Sequence, residues 1–183
     1  MEQKFLIIGK GSIGSRHFDL IKSCYLESTV FHVSSREFLA EYQNILDKGF
    51  NFIVIAGPVV HRESTLKVLS NETAFLLIEK PVFASIKDLD LVKNKDRVWV
   101  GYNLRFNPLV KMTKRYISAY PSQPIKATFL CESDARTWRP GNYLNRVSFN
   151  PELGGGCLNE LSHEIDLMYF CSLHQSTQLM KMI

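Results

Sequence analysis

Short apolar runs alternate with longer amphipathic stretches through the first two thirds of this chain, and that alternation restricts what it can fold into. The runs Lys4 to Ile8, Thr29 to Val33, Phe52 to Ala56, Ala74 to Ile78 and Val98 to Gly101 have the length and apolar content of buried strands. Between them, Ser12 to about Ser23, Arg36 to Asp47, about His61 to Ser70 and about Ser85 to Lys93 read as helices. Strand–helix–strand rhythm of this kind makes βαβ units. The expected class is α/β, with a doubly wound parallel sheet.

Pro108 opens a further amphipathic helix reaching about Ala119, and Pro121 and Pro124 punctuate a boundary after it. The expected domains are residues 1–120 and 121–183. In the second, Ile125 to Cys131 reads as a strand and Glu132 to Asn150 as a long loop. Gly154-Gly155-Gly156 then precede a helix from Cys157 to Phe170, in which Leu158, Leu161, Ile165 and Met168 recur at helical spacing. The tail from Ser172 to Ile183 carries no clear signal.

Gly9-Lys10-Gly11-Ser12-Ile13-Gly14 follows the first strand directly and opens the first helix. In that context three glycines at this spacing are a dinucleotide fingerprint. The first permits the tight turn, the second lets a pyrophosphate reach the backbone, and the third lets helix and strand pack closely. The helix N-terminus faces the anion. The sheet is then of Rossmann type.

The residues after the second strand bear on the choice of nicotinamide cofactor, because an acid there binds the ribose hydroxyls and repels a 2′-phosphate. Val33 is followed by Ser34, Ser35 and Arg36, two hydroxyls and a guanidinium suited to a phosphate. NADP(H) is preferred on that reading and NAD(H) remains open, since Glu37 can serve the ribose. A serine cap with a solvated Arg36 is the plain alternative.

Glu79-Lys80-Pro81 closes the fourth strand, placing a lysine at the carboxyl edge where open α/β sheets bind ligands. Partial desolvation would make its amine an acid/base, and the proline restricts the backbone before it and permits a cis bond. Taken alone, the tripeptide reads rather as a snorkelling edge lysine followed by a helix-starting proline.

Composition narrows the classes. At 183 residues and 45% hydrophobic content the chain can bury a substantial core. Its formal charge of +4 is spread among acids and forms no basic block, so neither nucleic acid nor a membrane surface is called for. No apolar stretch approaches a bilayer span. Cys24, Cys131, Cys157 and Cys171 lack metal-ligand or redox spacing, and are read as reduced and mostly packing residues of a cytoplasmic protein with no metal site.

Gly9 to Gly14, Ala56-Gly57-Pro58, Glu79-Lys80-Pro81, Tyr102-Asn103-Leu104-Arg105-Phe106 and Gly154 to Asp166 occur in the order found in one family. Over residues 4–170 the chain resembles the glucose-fructose oxidoreductase and inositol dehydrogenase (Gfo/Idh/MocA) family. The resemblance implies a Rossmann domain, a second α/β domain whose open sheet forms a homo-oligomer interface, and hydride transfer between a nicotinamide and a sugar or cyclitol carbon. It implies Lys80 as the group bonded to the reacting hydroxyl and His163 as a second acid/base. Many relatives place a carboxylate four residues before that histidine, where Asn159 stands here. Glu160, three residues before it, is the nearest acid; on a helix both spacings reach the same face, so Glu160 can orient His163 or share its proton. Asp166 is a candidate acceptor for a sugar hydroxyl.

Ala56, Gly57, Pro58 and Glu79 are expected beside the cofactor, and Asn103 and Arg105 beside the sugar or nicotinamide, although Arg105 can instead pair with Glu79. Relatives often carry a histidine four residues after the proline of Ala-x-Pro. Arg62 holds that spacing, with His61 one short; either can line the pocket or face water. Thr137 to Tyr143 is similar to members acting in surface-polysaccharide and acidic-sugar synthesis. There Trp138 offers an aromatic face, and Arg139 and Arg146 can hold a carboxylate or phosphate.

Relatives usually continue well beyond the histidine helix, so the second domain reads as incomplete. The expected consequence is an exposed apolar face around Leu161 and Ile165, with association and weak solubility. Against the oxidoreductase of a sugar or nucleotide sugar stands the alternative of a non-catalytic nucleotide-binding remnant, or an interaction or sensor module.

Overall fold

The structure is a computed structural model, and it describes residues 3–83, 90–92, 95–120, 126–134, 136–137, 147–150 and 155–172. The chain divides into two compact units that meet in sequence at Gly101 and Tyr102.

The first unit is built on five parallel strands: β1 (Lys4–Ile8), β2 (Thr29–Val33), β3 (Phe52–Ile55), β4 (Phe75–Ile78) and β5 (Val98–Val100), in the order β2-β1-β3-β4-β5. Among the described residues three α-helices accompany them: α1 (Ser12–Cys24), α2 (Ser35–Leu46) and α3 (Arg62–Val68). Alternation of side chains along a strand sends Leu6, Ile8, Ile53, Ile55, Leu76 and Ile78 to one face. There they form a core with Phe38 and Ile45 of α2 and with Leu66 of α3. On the other face Phe5 stacks on Phe52 at 5.2 Å between ring centroids, and Phe52 on Phe75 at 5.6 Å. Trp99 continues the ladder at 5.1 Å from Phe75. Both faces of β1 are covered, which is why its run from Phe5 to Ile8 is apolar without alternation. The expected helix between β4 and β5 falls largely on residues 84–89 and 93–94, outside the described residues.

In the second unit Asn107 caps α4 (Pro108–Ala119), its side chain accepting from the Leu109 N–H at 2.8 Å, with Pro108 at the first helical position. Helix α4 packs on α6 (Ser162–Ser172), which follows the short α5 (Cys157–Glu160). Two expectations are corrected here. The helix expected over Cys157 to Phe170 is interrupted at Leu161, whose φ of −102° and ψ of 27° leave the helical region. Residues 126–131 form no strand, because an extended segment becomes one only through a pairing neighbour and no described residue supplies it.

The expected apolar exposure is also redistributed. Leu161 and Ile165 are half-buried, whereas Leu109, Met112 and Tyr116 of α4 are exposed. Of the four cysteines only Cys171 is buried; Cys24, Cys131 and Cys157 are exposed thiols, so packing does not explain them.

Candidate dinucleotide site

The carboxyl ends of the five strands lie level. Val33, Ile8, Ile55, Ile78 and Val100 form one row of register partners. The ladder runs one residue further: Gly9 donates to Val33 O, Ala56 to Ile8 O, Glu79 to Ile55 O and Gly101 to Ile78 O, at 2.7 to 3.0 Å. Strand order reverses between β1 and β3, the position where sheets of this type bind ligands.

At that point Gly9 has φ +133°, and a Cβ there would stand 2.5 Å from Ala56 C and Gly57 N. Only glycine fits both the conformation and the approach of the two loops. A Cβ at Gly14 would meet the Gly9 carbonyl at 1.7 Å, so this glycine seats α1 on the turn. Gly11 differs, with no atom beyond its own neighbours in the chain within 4 Å of its missing Cβ. It is also the N-cap of α1, with no side-chain cap and no acid in the first turn, and Ile13 beside it is exposed. This open cradle of backbone N–H groups fits the pyrophosphate of a dinucleotide.

After β2, Ser34 caps α2 through a capping box: its hydroxyl accepts from Glu37 N–H, and Glu37 accepts from Ser34 N–H at 2.6 Å. Lys10 pairs with the same carboxylate at 2.8 Å. The hydrogen bonds from Lys10 and from Ser34 N–H hold the Glu37 carboxyl down to about 2. Ser35 is buried, its Oγ 2.0 Å from where a Cβ at Gly57 would stand, so its hydroxyl underlies the β3 turn and does not face solvent. Arg36 is exposed.

At the end of β4 the Glu79 carboxylate lies 2.7 Å from His17 Nε2 of α1, and an added Cβ on Gly101 would meet it at 2.8 Å. Glu79 thus has a partner within the first unit, and Arg105, which the sequence offered as an alternative partner for it, has one within the second. Lys80 is half-buried and the Lys80–Pro81 peptide bond is cis. Arg62 corrects the reading of a water-facing helix start. It is 2% exposed and donates to the carbonyls of Gly57 and Glu79, while His61 is half-buried.

In the second unit Arg105 forms a two-pronged ion pair with Asp166, through Nε to Oδ2 at 2.8 Å and through Nη2 to Oδ1. These hydrogen bonds push the Arg105 pKa up. Asp166 is thus a buried structural anion before it can be a sugar ligand. His163 packs edge-on against Tyr102 at 5.8 Å, and its buried Nδ1 has no acceptor or donor among the described residues. The break at Leu161 removes the premise that Glu160 and His163 share one helix face. Asn159 Nδ2 donates to Gly155 O at 3.3 Å, and Asn103 is exposed. Trp138, Arg139 and Arg146 lie outside the described residues.

Three contributions were not read from the sequence: His17 as the partner of Glu79, His32, whose Nε2 lies 2.9 Å from Gly9 O, and the internal role of Arg62. The position of His32, level with Ile7 on β2, was the available signal for its bracing of the glycine turn.

No protein-family model and no curated protein matches the chain. Among solved structures it is similar to an inositol dehydrogenase homolog from Azotobacter vinelandii complexed with NAD+, at 15% identity and TM-score 0.67, over 93% of this chain and 54% of that one. The WlbA (WbpB) dehydrogenase from Thermus thermophilus in complex with NAD and UDP-GlcNAcA matches at 19% identity and TM-score 0.63, over 92% of this chain and 62% of that one. A myo-inositol dehydrogenase from Corynebacterium glutamicum matches at 16% identity and TM-score 0.62, over 93% and 55%. The chain spans between 54% and 62% of the length of these structures. What is shared at such identity is the fold, an α/β unit with a five-stranded parallel sheet of the Rossmann type.

Proposed function

We propose that the chain binds a nicotinamide dinucleotide at the carboxyl edge of its sheet and serves as an oxidoreductase of a sugar or nucleotide-sugar hydroxyl. The observation that carries the reading is the contrast between two glycines of one turn. Gly9 is required by the fold, whereas the fold leaves the space at Gly11 open. Solved dehydrogenases of similar fold hold NAD, in one case with a nucleotide sugar, which supports the cofactor class and the substrate class.

Gly9, Gly11, Ser12, Ile13 and Gly14 would hold the pyrophosphate, and Ala56, Gly57, Pro58 and the Glu79-Lys80 backbone would flank the rest of the cofactor. When bound, the nicotinamide supplies hydride transfer. The protein's part is the hydroxyl proton, for which Lys80 and His163 are the candidates. Selection of NADP(H) over NAD(H) rests on Arg36 alone, since Ser35 is buried and Ser34 is engaged in its cap.

The test is a titration with NADH and NADPH followed by hydride transfer across a panel of sugars and nucleotide sugars. Lys80→Ala and His163→Ala each abolish turnover and leave cofactor affinity near wild type. Binding without turnover would favour a nucleotide-binding module instead. The separation of Glu160 from His163 at Leu161 is the feature that speaks for that second reading.

A further inference from the structure

Arg62 sits where the sequence pattern offered a solvent-facing helix start, yet it is among the most buried charged residues described, at 2% exposure. Its Nη1 donates to Glu79 O at 2.8 Å and its Nη2 to Gly57 O at 2.9 Å. These carbonyls belong to the turns that leave β3 and β4. Nε has no acceptor among the described residues. Burial pulls the guanidinium down to about 10, against the opposing pull of the Glu79 carboxylate. An incompletely paired buried cation is a poor way to gain stability, and an apolar side chain would fill such a site at lower cost. What a planar guanidinium offers instead is a rigid fork that holds two acceptors at a set separation.

The strand order says what that separation serves. The glycine turn after β1 takes the pyrophosphate, and the end of β2 meets the adenosine ribose. With the order β2-β1-β3-β4, the nicotinamide half must cross the ends of β3 and β4. We infer that Arg62 is a positioning residue which ties the Gly57 and Glu79 turns together and so fixes the floor under the nicotinamide half. This rests on the dinucleotide reading above.

The test uses full-length Arg62→Met and Arg62→Lys, at a temperature where circular dichroism shows each folded. The readouts are the affinities for the tighter of NADH and NADPH and for its adenosine half, ADP or 2′-phospho-ADP. Arg62→Met weakens the dinucleotide about tenfold and leaves the adenosine half within about twofold. Arg62→Lys, whose ammonium lacks the two-pronged geometry, falls between. Where Arg62→Met does not fold, Arg62→Lys alone carries the comparison. Equal losses for both ligands in folded protein would make Arg62 merely structural, and wild-type affinity for both would equally overturn the inference. A wild-type chain that binds neither ligand defeats the dinucleotide reading itself, a result distinct from either.

Discussion

The Lys10 ammonium lies 2.8 Å from the Glu37 carboxylate, joining the residue between the first two fingerprint glycines to the first turn of α2. Because Lys10, and after it Ser34 N–H, donates to this carboxylate, Glu37 is held low, near 2 against an ordinary 4.5. A depressed acid contributes stability that is complete above its unfolded pKa and is lost as pH falls through the folded one. The urea-midpoint gap between wild type and Glu37→Gln should therefore be widest above pH 4.5 and close towards pH 2. Both groups are solvent-exposed, so added salt should also narrow it. A gap independent of pH would refute the pairing.

Gly9 and Gly11 should separate folding from binding. Alanine at Gly9 combines a positive φ with contacts to Ala56 and Gly57 backbone, and should cost about 3 kcal/mol. Alanine at Gly11 meets open space at φ −77° and should cost about 1 kcal/mol or less as an N-cap change. Denaturation curves of the two variants check this. Equal stability losses would contradict the assignment of the two roles.

Asp166→Asn should destabilise the chain by about 1–2 kcal/mol, since Asp166 is buried while its partner Arg105 is partly exposed and screened. Thermal melting reads this directly. Unchanged stability together with weakened sugar binding would instead make Asp166 a substrate ligand.

Much of the first unit was legible because its determinants are local. Apolar runs bounded by Gly9, Lys48-Gly49 and Pro81 fix the strands, and the glycine spacing fixes the first turn. Arg62 was not legible, since a cation at a helix start reads as solvated until the topology places two backbone carbonyls around it. The division between α5 and α6 was hidden for the opposite reason: Leu158, Leu161, Ile165 and Met168 keep helical spacing straight through the break. Residues 126–131 have strand-like composition, but strand formation is settled by a partner that no local pattern reports.

The proposed function stands on the open backbone at Gly11 serving as a pyrophosphate cradle. Calorimetric titration of NADH and NADPH into wild type and Gly11→Ala tests it most directly. The expected result is saturable binding of one dinucleotide per wild-type chain, weakened about tenfold or more in a Gly11→Ala protein of near wild-type stability. Failure of wild type to bind either dinucleotide, or undiminished binding by Gly11→Ala, would contradict the account.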